Sequence, residues 1–289
     1  MPLPASIQLR NGVALPTVGL GTFKASGQEL VTAVQAALAV GIRHIDTAEI
    51  YKNQEQIMQG IRAAGVPRSE LFITSKVSPY QQGRAGAQAA CQAICSKLGP
   101  EPVDLVLIHW PGASKTAATS PRNAELRLET WRVLEHFHSQ GYFRAIGVSN
   151  YGVKHLEELL AVAATPPAVN QVEVHPRWPC AELRAACTTH SVAVVGYASL
   201  GCGALLGHPC VVDIAQRSGM TPAQVLLRWS LQQGVAVIPK SVRPERIQQY
   251  RPDALLADSA QLGAADMERL AQVGLQEAHK YCWDAADIL

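Results

Sequence analysis

Short apolar runs alternate with longer amphipathic stretches along almost the whole chain. Eight runs have the length and the composition of buried strands. They read TVGLGT, RHIDTA, LFITSK, VDLVLIHW, RAIGVSN, AVNQVE, VAVVGYAS and VAVIPKS. Between them lie stretches with helical periodicity, such as QELVTAVQAALAV and QEQIMQGIRAA. Eight strand–helix units of roughly 30 residues each predict an α/β fold of the (β/α)8 TIM-barrel type.

Two segments fall outside this repeat. IQLRNGVALP places Asn11 and Gly12 between two extended runs, which predicts an N-terminal β-hairpin that closes the bottom of the barrel. At the other end a last helix, DMERLAQV, precedes an irregular C-terminal tail. A doubly wound sheet would alternate in the same way, but no G-x-G-x-x-G motif opens a helix. No linker divides the chain, so we expect one domain over residues 1–289.

Composition excludes several classes of protein. With 48% hydrophobic residues among 289, the chain can bury a large core. A net charge of +2 without a basic block argues against nucleic acid as a partner. No apolar run approaches the ~20 residues of a membrane span, and the N-terminus lacks the pattern of a signal peptide. We therefore expect a cytoplasmic protein that does not enter a membrane.

The cysteines point the same way. There are seven, an odd number at irregular spacing, which is typical of reduced thiols in the cytoplasm. Cys91 and Cys95 lie one turn apart on a predicted helix, but no further Cys or His pair stands at ligand spacing. We interpret both as small buried apolar residues and predict no metal site.

Polar residues stand where several predicted strands end. Asp46 closes GIRHID, Lys76 closes LFITSK and His109 closes VDLVLIH, while Tyr51 follows Asp46 by a short loop. Later strands end in Ser149, Asn150, Gln171, Tyr197 and Lys240. Because the C-terminal ends of barrel strands share one mouth, we expect these side chains to meet there. Each one alone would more often be a structural residue, but the series on successive strands favours a functional site.

A carboxylate, an ammonium, a phenol and an imidazole at one mouth would form a proton donor. A free phenol has a pKa of ~10, and a nearby ammonium stabilises the phenolate and lowers that pKa. We therefore predict that Tyr51 is unusually acidic and suited to protonating a carbonyl oxygen during reduction. We expect Asp46 and Lys76 to pair, because burying either charge alone would be costly.

Eight segments carry a resemblance to a known family. They are GLGTF (19–23), IDTAEIYKNQE (45–55), ITSK (73–76), LIHWP (107–111), AIGVSN (145–150), NQVEVHP (170–176), GYASLG (196–201) and IPKSVRPERI (238–247). In this order and spacing, over essentially the whole chain, they resemble the aldo-keto reductases. The resemblance implies NADPH-dependent reduction of an aldehyde or ketone, with Tyr51 as general acid, Lys76 and Asp46 beside it, and His109 near the substrate carbonyl.

The resemblance also implies a set of contacts with NADPH. Ser149, Asn150 and Gln171 would hold the carboxamide, and Tyr197 would stack on the nicotinamide. The turn Leu200–Gly203 would cross the pyrophosphate. Lys240, Ser241 and Arg246 would form the 2′-phosphate site, which favours NADPH over NADH. The full expected set is Gly21, Thr22, Asp46, Ser149, Asn150, Gln171, Tyr197, Ala198, Leu200, Gly201, Lys240, Ser241, Val242, Arg246, Gln249 and Tyr250.

Three positions depart from the family pattern. Gln249 and Tyr250 replace the usual Glu-Asn that touches the adenine, so we expect Tyr250 to stack on the adenine instead. Gln54 replaces the Glu that usually follows Asn53, which would remove an ion pair with the cofactor. Phe23 stands where many members have Trp, so the wall of the pocket is altered.

The expected substrate pocket is aromatic. Its candidates are Phe23, Tyr51, Tyr80, His109 and Trp110, with Tyr281 and Trp283 of the tail beside them. Such a lining favours apolar or aromatic carbonyls, and a monomeric reductase of broad aldehyde or ketoaldehyde range is the favoured interpretation. The main alternative is an NADPH-binding regulatory subunit of the same fold. A phosphosugar barrel enzyme would leave Tyr51 without a role, and a serine hydrolase suggested by Gly147-Val148-Ser149 lacks the last glycine of G-x-S-x-G, where Tyr151 stands.

Overall fold

Eight parallel strands form one barrel in this computed structural model, which describes residues 2–289. The strands of the hairpin and barrel are β1 (Ser6–Gln8), β2 (Ala14–Pro16), β3 (Gly19–Gly21), β4 (His44–Asp46), β5 (Phe72–Val77), β6 (Val103–Ile108), β7 (Phe143–Ser149), β8 (Val169–Glu173), β9 (Ala193–Tyr197) and β10 (Ala236–Val237). Strands β3 to β10 pair in chain order, and parallel bridges Val18–Val237 and Gly21–Lys240 bring the first and last strands together. The predicted (β/α)8 TIM barrel is confirmed.

Helices follow the strands and cover the outside of the barrel. They are α1 (Gly27–Ala39), α2 (Gln54–Ala64), α3 (Arg84–Leu98), α4 (Arg122–Ser139), α5 (Val153–Leu160), α6 (Ala181–Thr189), α7 (Pro209–Ser218), α8 (Pro222–Gln232), α9 (Pro244–Ile247), α10 (Pro252–Leu255) and α11 (Ala264–Gln276). Because both faces of each barrel strand are covered, strands such as β5 and β6 are buried at every position.

Helix α7 was not anticipated from the sequence. It begins with Pro209 in its first turn, and the side chain of His208 accepts a hydrogen bond from the amide of Cys210. Its buried residues Val211 and Ile214 are three apart, and Gly219 ends it with a φ of 69°. These are ordinary start, spacing and stop signals, which the preceding glycine-rich loop obscured.

The hairpin closes the bottom of the barrel, as predicted. Strands β1 and β2 pair antiparallel, and Leu15 is buried in a cluster with Phe72, Leu105 and Val169 from the N-terminal parts of the barrel strands. The Asn11 amide also donates to the carbonyl of Arg144 at 2.8 Å. The bottom is therefore filled by apolar side chains.

All seven cysteines are free, and Cys91 is buried within the core. Over residues 2–289, no group of three His, Cys, Asp or Glu side chains is arranged to hold a metal ion. Over the same residues, no helix has the length and the hydropathy needed to cross a bilayer.

Candidate active site

The four residues Asp46, Tyr51, Lys76 and His109 meet at the C-terminal mouth of the barrel. The Lys76 ammonium donates to Asp46 Oδ1 at 2.5 Å and to the carbonyl of Thr47 at 3.0 Å. The same nitrogen lies 5.3 Å from the centre of the Tyr51 ring. The Tyr51 hydroxyl lies 3.4 Å from Nε2 of His109. The strand ends thus bring together the four residues that the sequence singled out.

Asn53 fixes the loop that carries Tyr51. The Asn53 amide donates to the carbonyls of Thr22 and Ala25, both at 3.0 Å, and its Oδ1 accepts from the Thr47 hydroxyl at 2.7 Å. These bonds tie the loop after β4 to the loop after β3. Asn53 precedes α2 but does not cap it with its side chain, so its role in joining the two loops could not be read from its position before a helix.

Burial controls the protonation of this group. Lys76 is only 1% exposed, and burial lowers its pKa while the Asp46 carboxylate opposes that shift. Burial, and after it the charges of Asp46 and Cys282, raises the pKa of Tyr51 well above its ordinary value. The prediction of an unusually acidic Tyr51 is therefore wrong for the protein alone. The main cause is the hydration that the buried phenol has lost, and the second is Asp46, whose charge opposes that of Lys76. Tyr51 consequently stays protonated at neutral pH.

His109 is neutral. Burial, and next the Lys76 charge, lowers the pKa of His109 to about 3. Its Nδ1 is buried without a protein partner, and its carbonyl oxygen accepts from the Asn150 amide at 3.0 Å. A neutral imidazole can donate one hydrogen bond without bringing a positive charge next to Lys76.

Polar side chains from β7, β8 and β9 form a connected cluster beside these four residues. The Ser149 hydroxyl donates to the carbonyl of Gln171 at 2.8 Å, and the Asn150 amide donates to Ser149 Oγ at 3.1 Å. The Tyr197 hydroxyl donates to Asn150 Oδ1 at 2.6 Å. Gln171 Nε2 donates to Asp46 Oδ2 at 2.7 Å, which joins the cluster to the ion pair. The structure therefore brings together the predicted carboxamide and nicotinamide residues.

The turn after β9 has an unusual backbone. Ala198, Gly201, Cys202 and Gly203 all have positive φ, between 50° and 95°. No heavy atom lies within 4 Å of a Cβ placed on Gly203, so the outer side of this turn is open. Leu200 is half-buried between them and packs against the core. An anion such as a pyrophosphate can approach a turn of this kind closely.

Two expected cofactor residues at the first strands have structural contacts. Thr22 is buried, and its hydroxyl donates to the carbonyl of Asp46 at 2.8 Å. A Cβ on Gly21 would lie 2.6 Å from the carbonyl oxygen of Ile238. Both residues hold the edge of the mouth together.

Cations follow β10 at the rim of the mouth. Lys240, Arg243 and Arg246 are exposed, whereas Arg251 is paired with Asp253. Ser241 is buried, and its Oγ accepts from the amide of Arg243 at 3.1 Å. Val242 lies against the core. The arrangement leaves three cations around the start of α9.

The departures from the family pattern have structural explanations. Tyr250 is 3% exposed and lies in the hydrophobic core, so the expectation that it stacks on an adenine is wrong. Gln249 Oε1 accepts from the Thr221 hydroxyl at 3.0 Å. Gln54 is buried and donates to Ser75 Oγ at 2.8 Å. Gln249 and Gln54 thus use their side chains within the fold.

Aromatic rings surround the mouth. Phe23 is 49% exposed and its ring centre lies 5.1 Å from that of Tyr51. Trp110 and Trp283 meet edge to face at 6.5 Å, and Trp283 is 80% exposed. Tyr80 is exposed in the turn Pro79–Gln81. Phe23 therefore offers apolar surface next to Tyr51, and the two tryptophans offer it next to His109.

A buried acid that the sequence did not single out lies at the end of β8. The Glu173 carboxylate accepts from Nε2 of His175 at 2.9 Å and from the amides of Tyr281 and Cys282 at 2.6 and 3.0 Å. The orientation of Glu173 could have been predicted, because residues two apart on a strand point to the same side and Gln171 was expected to face the mouth. Its partners in the tail could not have been predicted, because they are over 100 residues away along the chain.

Comparison with known proteins identifies the class. Residues 17–272 match the aldo/keto reductase family, and the chain belongs to that family. It is 45% identical over 246 residues to the glyoxal reductase of Bacillus subtilis (strain 168), with 85% of each chain covered. It is 40% identical over 247 residues to the 9,11-endoperoxide prostaglandin H2 reductase of Trypanosoma cruzi (strain CL Brener), covering 84% of this chain and 83% of that one.

The solved structures agree. An aldo-keto reductase, MGS-M4, from a Medee basin deep-sea metagenome library superimposes with a TM-score of 0.88 at 33% identity, covering 97% of this chain and 98% of that one. Membership makes the protein an oxidoreductase whose general reaction is carbonyl reduction, on small carbonyl compounds and with a nicotinamide cofactor.

Proposed function

We propose that this protein reduces aldehydes or ketones to alcohols, with NADPH as the hydride source and Tyr51 as the proton donor. The observation that carries the proposal is the position of the Tyr51 hydroxyl, 3.4 Å from a neutral His109 and beside the Asp46–Lys76 pair. A nicotinamide bound at this mouth would supply the hydride to the carbonyl carbon.

The residues of this chain would manage the developing charge on the oxygen. Tyr51, protonated at neutral pH, donates its proton to the carbonyl oxygen as negative charge develops there. His109 donates a hydrogen bond to the same oxygen and orients it. Once the phenolate begins to form, the Lys76 ammonium 5.3 Å from the ring centre stabilises it. A raised pKa in the resting protein is compatible with this role, because the acid must first hold its proton.

The cofactor contacts proposed here rest on chemical fit. Gln171 gives its amide nitrogen to Asp46, which leaves its Oε1 to accept from a carboxamide. The open turn at Gly203 suits a pyrophosphate. The exposed cations Lys240 and Arg246 with Ser241 suit a dianionic 2′-phosphate, which favours NADPH over NADH.

The substrate class follows from the mouth. Phe23, Trp110 and Trp283 favour apolar or aromatic carbonyls. One relative is named a glyoxal reductase. We propose a broad range that includes small dicarbonyls and aromatic aldehydes.

The proton donor is tested by Tyr51→Phe. We expect kcat to fall by roughly 10²–10⁴-fold, the usual contribution of a positioned acid. NADPH binding, followed by quenching of protein fluorescence, should change little because the ring is kept. Tyr142→Phe, at an exposed tyrosine of the barrel bottom, is the matched control. A Tyr51→Phe enzyme that keeps most of its activity would show that another group supplies the proton.

The cofactor preference is tested by Lys240→Ala combined with Arg246→Ala. Loss of two charge-assisted contacts should raise KM for NADPH by about 10²-fold and leave KM for NADH nearly unchanged. Arg251→Ala is the control, because that guanidinium is already paired with Asp253. Unchanged discrimination against NADH in the double variant would contradict the phosphate site.

The same assays separate an enzyme from a regulatory subunit of this fold. Oxidation of NADPH is followed with glyoxal, methylglyoxal, benzaldehyde and 2-naphthaldehyde. Turnover that depends on Tyr51 supports the reductase, whereas tight NADPH binding without turnover on any of them would favour the binding module.

A further inference from the structure

The buried carboxylate of Glu173 ties the C-terminal tail to the barrel. Both the Glu173 and His175 side chains are fully buried, and their contact is 2.9 Å long. The other two donors to the carboxylate are backbone amides of the tail, at Tyr281 and Cys282. Three donors therefore converge on one acid, and two of them belong to a segment without regular secondary structure.

One strand serves both the reacting group and the tail. Gln171 and Glu173 are two residues apart on β8, so their side chains lie on the same side of it. Gln171 contacts Asp46, deeper in the mouth, and Glu173 contacts the tail above it. Strand β8 therefore fixes the position of the tail through Glu173 and contacts the ion pair through Gln171.

The segment that Glu173 holds contacts two parts of the mouth. The Tyr281 ring packs on the turn after β9, where a Cβ on Gly201 would lie 2.9 Å from it, and the Tyr281 hydroxyl accepts from Arg177 at 3.0 Å. Two residues further on, Trp283 meets Trp110, the residue after His109. A shift of the tail at 281–282 would therefore displace Trp283 from its contact with Trp110.

The charge state of Glu173 suits this task. Burial by itself would raise the pKa of Glu173, but the hydrogen bonds from His175 and from the amides of Tyr281 and Cys282 bring the pKa below its usual value. The group is ionised at neutral pH, and an ionised acceptor holds amide donors more strongly than a neutral one.

We propose that Glu173 is a positioning residue for substrate recognition: it holds tail residues 281–283 so that Trp283 forms a wall of the pocket for bulky carbonyl substrates. The proposal rests on the reductase function above. It predicts that substrates large enough to reach Trp283 depend on Glu173, and that substrates confined to the region of Tyr51 and His109 depend on it much less.

The first test is kinetic. Glu173→Gln keeps the shape but removes the charge and one acceptor position, so the tail amides lose their strongest partner. We expect KM for 2-naphthaldehyde to rise by about tenfold or more, with a far smaller change in KM for glyoxal and in kcat. Glu182→Gln, at an exposed acid of α6, is the matched control.

Coupling to Trp283 separates positioning from general destabilisation. If Glu173 acts through Trp283, adding Glu173→Gln to Trp283→Ala should raise KM for 2-naphthaldehyde little further. Additive effects of the two changes, or an equal loss of kcat on every substrate, would overturn the proposal.

A second measurement does not need the variant to fold or the enzyme to turn over. Hydrogen exchange of the wild-type protein should show the amides of Tyr281 and Cys282 protected by at least about tenfold relative to those of Trp283 and Asp284. Exchange of all four amides at the same fast rate would refute the proposal that Glu173 holds the tail. If the two amides are protected but no aldehyde is reduced, Glu173 still holds the tail and the proposed function is wrong.

Discussion

Two buried carboxylates lie at opposite ends of the barrel and do different work. Asp46 ends β4 at the mouth and pairs with Lys76, which is almost wholly buried. Asp104 lies near the start of β6 at the bottom, where it accepts from Arg68 at 2.7 Å, Arg144 at 2.6 Å and the Ile73 amide at 2.9 Å. The comparison teaches that a buried ion pair does not by itself mark a reactive site.

The neighbours of each pair make the difference. Of the two arginines that bind Asp104, Arg68 is largely buried, whereas the side chain of Arg144 is half-exposed and its charge is hydrated. At the mouth Tyr51 lies next to the ammonium of Lys76, and His109 lies next to the Tyr51 hydroxyl. Buried histidines follow the same division. His44 starts β4 at the bottom and bonds to the Thr74 hydroxyl at 3.0 Å, whereas His109 faces the mouth.

The largest expected effect is at the mouth. Lys76→Met leaves Asp46 as a buried charge without its cation, which should cost about 3–5 kcal/mol of unfolding free energy. It also removes the group that stabilises the phenolate, so we expect kcat to fall by at least ~10²-fold. Urea denaturation and single-turnover reduction measure the two effects.

Removing both charges separates stability from activity at this end. Lys76→Met with Asp46→Asn has no uncompensated charge and should regain most of the stability. It should stay inactive. A double variant that recovers turnover would show that the mouth pair is structural, like the one at the bottom.

The bottom pair should behave in the opposite way. Asp104→Asn leaves Arg68, which is largely buried, without its carboxylate and should cost about 3 kcal/mol of unfolding free energy. Because the hairpin and core separate it from the mouth, kcat and KM per folded molecule should hardly change. Loss of kcat in a fully folded Asp104→Asn protein would contradict the view that the bottom pair serves stability alone.

The last prediction concerns pH. Burial lowers the pKa of His44 to about 4, whereas a histidine in the unfolded chain titrates near 6.5. The unfolded state therefore takes up the proton first, and stability is lost as pH falls from about 6.5 to about 4, by up to about 3 kcal/mol. His44→Gln should flatten this slope in urea titrations, and His190→Gln, at an exposed histidine, should leave it unchanged. An unaltered slope in His44→Gln would place the acid sensitivity elsewhere.

The barrel could be predicted from the sequence because its strands are buried on both faces and appear as continuous apolar runs. The meeting of Asp46, Lys76 and His109 could be predicted for a related reason, because parallel pairing brings them to the same ends of neighbouring strands. Both inferences use only local pattern and the geometry of a parallel sheet.

The remaining features depend on contacts between distant parts of the chain. The raised pKa of Tyr51 follows from how much water the folded mouth excludes, which no spacing reports. The burial of Tyr250 follows from packing of α9 and the turn after it against the core. The role of Glu173 depends on amides more than 100 residues later, and backbone donors leave no signature in a sequence.

The contact between Gly21 and Ile238 has a genetic consequence. The first and last barrel strands approach so closely there that a single methyl group would force them apart. The join depends on the missing side chain at position 21, so a saturation scan should find that position among the least tolerant in the protein. Such intolerance is easily mistaken for a catalytic role, whereas the close approach of the two strands would be enough to explain it.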